Sequence, residues 1–112
     1  MKRQYFAVIR SRNFRNAAGE GTLEHVGMPL NLRDAILCAE VRTILAARQG
    51  SGPWTVDYMG ADGFLHPVPL DDPDYLALCG VLGSQDSLDY AEDVLCASPR
   101  EMSILLEEYG GA

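Results

Sequence analysis

The sequence predicts an α+β domain: a small, mainly antiparallel sheet covered by one long helix and followed by two or three short C-terminal helices. Three observations carry that expectation. Short apolar or alternating stretches at residues 4–10 and 54–68 have the period of strands. From Leu32 to Arg48 the apolar positions recur at helical spacing. Beyond residue 70 the helical pattern returns, broken by Gly83 and by Ser98-Pro99. Strands and helices that segregate along the chain, instead of alternating one for one, favour an antiparallel sheet with its helices on one side.

Taken in order, Gln4–Arg10 sets Tyr5, Ala7 and Ile9 against Phe6 and Val8, so a strand buried on both faces is expected. Ser11–Gly21, with Arg12, Arg15, Asn13, Asn16, Gly19 and Gly21, reads as a loop or wide hairpin turn. Thr22–Val26 makes a short second strand, closed by Gly27 and Pro29. Asn31 is placed to cap the long helix. Leu37, Val41, Ile44 and Leu45 share its apolar face, Cys38 lies at the margin, and Arg42 and Thr43 point away. Gly50 and Gly52-Pro53 end it.

Trp54–Met59 alternates again, with Trp54, Val56 and Tyr58 on one side. The turn Gly60-Ala61-Asp62-Gly63 leads into Phe64–Val68 and makes a hairpin, because Asp-Gly supplies positive φ angles at little cost. Pro67 and Pro69 cannot donate ladder hydrogen bonds, so this strand belongs at an edge or ends early. Asp72-Pro73 reads as a cap followed by proline at the first helical position, with Tyr75, Leu78, Cys79 and Leu82 behind it. Asp86 or Ser84 caps a second segment containing Leu88, Ala91, Val94 and Leu95. Ser98-Pro99-Arg100-Glu101 is a capping box, and Met102, Leu105, Leu106 and Tyr109 line one face of the last helix.

At 112 residues the chain is expected to be one domain, 1–112, with no internal repeat or linker. Hydrophobic residues make up 47% and charged residues 22%, enough apolar surface to offset the entropy of ordering. No apolar stretch approaches the roughly 20 residues of a membrane span. The N-terminal apolar run, Tyr5–Ile9, is shorter than a signal-peptide core. The cysteines Cys38, Cys79 and Cys96 are odd in number and widely spaced, which suits reduced thiols. A cytoplasmic protein without a membrane partner is therefore expected.

Charge is unevenly distributed along the chain. Residues 1–50 hold eight basic and four acidic side chains, whereas residues 51–112 hold only Arg100 against twelve carboxylates. The total is the formal net charge of −7. Such asymmetry creates a field across a molecule and biases its choice of partner.

The candidate chemistry is sparse. Cys38, Cys79, Cys96, His25 and His66 lack the close pairs of a zinc site, and the cysteines sit on or beside apolar helix faces, where they serve as small buried hydrophobes. No metal and no cofactor is expected. The glycines of Gly19-Glu20-Gly21 and Gly50-Ser51-Gly52 lack the strand–loop–helix setting and the lysine of a phosphate loop. Lys2, Arg3, Arg10, Arg12 and Arg15 interleave with Tyr5, Phe6 and Phe14, a composition that can hold single-stranded nucleic acid. The net negative charge and the opposite faces of Tyr5 and Phe6 speak against direct nucleic-acid binding.

The leading functional expectation is a non-catalytic binding module. Its acidic C-terminal half would dock on a basic surface of another protein, with Asp86, Asp89, Glu92, Asp93, Glu107 and Glu108 as contacts. A nucleic-acid-binding protein or complex is the natural basic partner, since carboxylates can occupy a site that otherwise holds phosphates. In size and charge alone, the chain is similar to small phage- or mobile-element-encoded inhibitors of such complexes, anti-CRISPR proteins among them. Two alternatives stand beside it. One is a small enzyme using His66 with a carboxylate such as Asp57 or Asp62, in a pocket beside an apolar cleft. The other is a homo-oligomeric module joined through Met102, Leu105, Leu106 and Tyr109.

Overall fold

In the computed structural model, which describes residues 3–110, β1 (Tyr5–Arg15) runs through the centre of a four-stranded antiparallel sheet. It pairs with β2 (Gly21–Val26) on one side and β3 (Thr55–Met59) on the other, and β4 (Leu65–Pro67) completes the order β2-β1-β3-β4. The first half of β1 is buried on both faces: Phe6, Ala7, Val8 and Ile9 are all buried. Ala7 faces Val56 across the ladder, and Phe6 faces Asp57.

The strand does not stop at Arg10. It continues to Arg15, and the turn is confined to the residues between Arg15 and Gly21. There Asn16 Oδ1 accepts the amides of Ala18 and Glu20, each at 3.0 Å, and Gly19 takes a positive φ of 81°. The sequence concealed this extension because Arg12–Arg15 is exposed and has no apolar alternation to display. The register slips between Ile9, opposite His25, and Arg10, opposite Leu23, and slips again before Arg15 meets Gly21. Such bulges bend a strand and increase its twist. Ser11 holds the second irregularity, its Oγ accepting the amides of Asn13 (3.2 Å) and Phe14 (3.0 Å). Gly21 is required where the strands close in, since a Cβ there would stand 2.2 Å from the Ser11 carbonyl oxygen.

Helix α1 (Leu32–Ala47) starts where Asn31 Oδ1 accepts the Asp34 amide at 2.8 Å. Its consecutive residues 35–39 are all buried, which one apolar stripe cannot produce. The helix lies between two layers. It packs on β1 and β3 and also on the C-terminal helices, and Ala35, Ile36 and Leu37 join Ala7 and Val56 in one core cluster. Thr43, expected to point away, instead joins α1 to β3, its Oγ1 accepting the Trp54 amide at 2.9 Å. Arg42 lies over the Trp54 ring, 4.9 Å from its centroid.

The C-terminal helices are α2 (Pro73–Val81), α3 (Ser84–Asp93) and α4 (Pro99–Glu108). Asp72 caps α2 by accepting the Tyr75 amide at 3.0 Å. Ser98 and Glu101 form the expected reciprocal box on α4, at 3.1 and 2.9 Å. At α3 the carboxylate of Asp86 accepts the Gly83 amide at 2.8 Å. Val41, Ala91 and Leu105 make a second core cluster where α1, α3 and α4 meet. Among the described residues, no helix is long and apolar enough to cross a membrane.

Candidate functional site

The acidic residues of the C-terminal half separate into two groups. Asp86 caps α3 and also receives Arg33 at 3.3 Å. Glu107 receives Arg48 at 3.6 Å. Both arginines come from α1 or its end, so these carboxylates are partly neutralised from within. Asp89, Glu92 and Asp93 are exposed on α3, and among the described residues none of them makes an ion pair; Asp89 accepts only the Gln85 amide group, at 2.8 Å. Spacings of three and four residues place Asp89, Glu92 and Asp93 on one outer face. The opposite face, Ser87, Tyr90 and Ala91, is buried. The three carboxylates thus form a ridge on a helix held firmly from behind. Glu108 is exposed on α4, without an ion pair among the described residues.

The last helix does not offer a free apolar stripe. Leu105 is fully buried, and Met102 and Tyr109 pack against the cluster of Val41 and Ala91. Only Leu106, 38% exposed, faces outward. The stripe expected to join copies of the chain is the inner face of α4.

His66 stands at the end of the β3–β4 hairpin with both ring nitrogens facing carboxylates. Nε2 lies 2.8 Å from Asp62 Oδ2, and Nδ1 lies 3.5 Å from Glu20 Oε1. The Asp62 hydrogen bond is the main cause of a raised His66 pKa, and Glu20 adds to it. The Asp62 carboxyl is held below its ordinary range, chiefly by the Phe64 amide and then by His66. Two carboxylates hold the imidazolium form, whereas a general base must turn an unprotonated nitrogen toward its substrate. The geometry is that of a clasp between β4 and the β1–β2 turn.

Asp57, the other expected partner of His66, is instead paired with Arg10. It is fully buried, and Arg10 reaches it through both Nη2 and Nε, the latter 3.1 Å from Oδ2. Burial pushes the Asp57 carboxyl up, against the pull of Arg10. Arg10 also donates to the carbonyls of Gly21 and Leu65, the latter at 3.0 Å. These carbonyls belong to β2 and β4, the two edges of the sheet. Arg10 therefore sits inside the curl and ties its edges together.

A cleft of about 850 Å³ lies between the far half of β1, the start of β3 and helices α1 and α2. Ile36 and Val56 form part of its apolar lining, Tyr75, Cys79 and Leu82 contribute from α2, and Arg12 and Arg15 contribute from β1. Helix α2 has no buried residue, and of the named elements its backbone comes close only to α1.

No family model, curated protein or solved structure matches this chain.

The cysteines depart from the sequence expectation. Cys38 is buried, but Cys79 and Cys96 are exposed. Cys79 faces the cleft, and Cys96 lies in the turn after α3 with a φ of +52°. Helical spacing placed both beside apolar neighbours; it could not show that the layer meant to cover them is missing. Among the described residues, no three His, Cys, Asp or Glu side chains gather into a metal-binding set. Sequence reasoning missed Arg10 as an interior group and the cleft as a whole, because both depend on the curl of the sheet.

Proposed function

We propose that the chain is a non-catalytic binding module that docks through its acidic C-terminal helices on a basic surface of a partner protein, one that handles nucleic acid. The observation that supports this reading is the α3 ridge: Asp89, Glu92 and Asp93, exposed and without ion pairs among the described residues, on a helix whose other face is locked into the core. Unpaired carboxylates on a rigid support steer an approaching cation and accept charge-assisted hydrogen bonds from Arg and Lys without reorganising first. Asp86 and Glu107 belong to the periphery of such a surface, because Arg33 and Arg48 already engage them.

The test compares charge reversals. A deca-arginine peptide stands in for the basic surface, with binding followed by fluorescence anisotropy at low and high salt. Asp89→Lys combined with Glu92→Lys removes most of the binding, and added salt weakens what the unmodified chain retains. Glu24→Lys, on the exposed part of β2, leaves it intact. Equal losses from the two reversals would mean diffuse charge attraction, and the reading would fall.

A further inference from the structure

We infer that the cleft between β1 and α2 is a binding site for a small amphiphilic anion, a carboxylate carrying an apolar chain. The inference is independent of the α3 ridge.

The volume, about 850 Å³, lies within the range of roughly 300–1,000 Å³ of small-molecule pockets. Its lining divides into two regions. Toward α1 and α2 it is apolar, with Ile36, Val56, Val68 and Leu82. Toward the β1–β2 turn it carries Arg12 and Arg15. Neither arginine has an ion-pair partner among the described residues, and Arg15 donates only to the Gly19 carbonyl, at 3.1 Å. The third arginine of the lining, Arg10, is already committed to Asp57.

Two carboxylates also line the cleft. Glu20, in the β1–β2 turn, faces His66; Glu40 belongs to α1, where it accepts the Ser87 hydroxyl at 3.1 Å and keeps its charge at the exposed rim. The unpaired charge at the β1 end is therefore positive, in a chain whose net charge is −7. A guanidinium pair at one end and an apolar trough at the other match a ligand with a carboxylate head and a hydrocarbon body. Helix α2 supplies a second reason. Tyr75 and Leu82 lean on the core yet remain partly exposed, and both line the open cleft. An apolar body seated there would remove that surface from water, at about 25 cal/mol per Å² buried.

Trp54 is the only tryptophan of the chain and lines this cleft, so its emission reports occupancy directly. The probe is decanoate, titrated below its micelle concentration, with decyltrimethylammonium as the cation of matching chain. The expected result is a saturable change in Trp54 emission with decanoate and none with the cation. Arg12→Gln with Arg15→Gln weakens decanoate binding roughly tenfold, the loss expected when charge-assisted hydrogen bonds to a carboxylate are removed. Both side chains are exposed, so the circular-dichroism melting curve of that variant stays unchanged. In a Cys96→Ser background, decanoate also slows maleimide labelling of Cys79, which lines the same cleft. Absence of a saturable change, equal binding of the cation, or full binding by the arginine variant would each overturn the inference.

Discussion

Arg10 is an interior cation whose partners come from three strands: the Asp57 carboxylate on β3 and the carbonyls of Gly21 on β2 and Leu65 on β4. Burying two charges costs more desolvation than one hydrogen bond returns, so the pair is worth keeping only where its geometry is satisfied on all sides. Here the remaining guanidinium donors reach both edges of the sheet, which an aliphatic side chain could not do. Arg10→Met leaves Asp57 buried and uncompensated, with an expected loss of about 3–5 kcal/mol at neutral pH. Burial already raises the Asp57 pKa, and losing Arg10 raises it further, so the native state binds the proton more readily than the unfolded chain. Part of the loss therefore returns as pH falls toward the raised pKa. Urea midpoints of both proteins at neutral and mildly acidic pH check this. A loss no larger than that of a surface pair, under about 1 kcal/mol, would mean that water reaches Asp57. The sequence shows Arg10 and Asp57 as ordinary strand charges. Their meeting depends on the β1–β3 register, which sets Asp57 opposite Phe6 and so on the same face of the sheet as Arg10, and composition does not show it.

At the scale of elements, the helices were the more legible because their ends are written in local chemistry. Asn31, Asp72 and the Ser98–Glu101 box act within three residues, so spacing alone reveals them. The β3–β4 hairpin was legible for the same reason, and Pro67 does fall in an edge strand. The extension of β1 was not, because an exposed strand held by Arg, Asn and Ser looks like a loop. What fastens that extension to the opposite edge is the His66 clasp with Glu20 and Asp62. A histidine whose folded pKa is raised contributes stability that is complete below its ordinary value of 6.5 and is lost as pH rises through the folded value. Asp62, whose pKa is lowered, keeps its side of the clasp until the pH falls through that depressed value. The clasp is thus firm through the weakly acidic range and loosens on the alkaline side of 6.5. By NMR, the His66 ring should titrate above 6.5, and the Phe64 amide, which donates to Asp62 Oδ1 at 3.0 Å, should shift with the same midpoint. His66→Gln should abolish that midpoint. A ring that titrates at or below the ordinary value would show that neither carboxylate holds it in solution.

At the scale of the whole molecule, α1 is the middle layer, a role that the single apolar face expected of Leu37, Val41, Ile44 and Leu45 does not convey. A helix covered on one side shows one stripe; a helix covered by a sheet on one side and by α3 and α4 on the other must be apolar nearly all round. Its buried neighbours fall into two clusters, one holding Ala7, Leu37 and Val56 with Tyr90 of α3, the other Val41, Ala91 and Leu105. Leu95 packs against both. If the shared helix couples the clusters, the chain unfolds as one unit although its charge is divided between halves. Leu37→Ala and Leu105→Ala each empty a fully buried site, in different clusters, with an expected cost of about 2–5 kcal/mol apiece. In urea, each variant should move the midpoint of a single transition, keep the slope of the parent, and give the same curve by Trp54 fluorescence and by circular dichroism. Trp54 lies beside the sheet, far along the chain from Leu105. A Leu105→Ala protein whose circular dichroism falls before its Trp54 signal would place α3 and α4 in a unit of their own, docked on a sheet-and-helix core that stands without them.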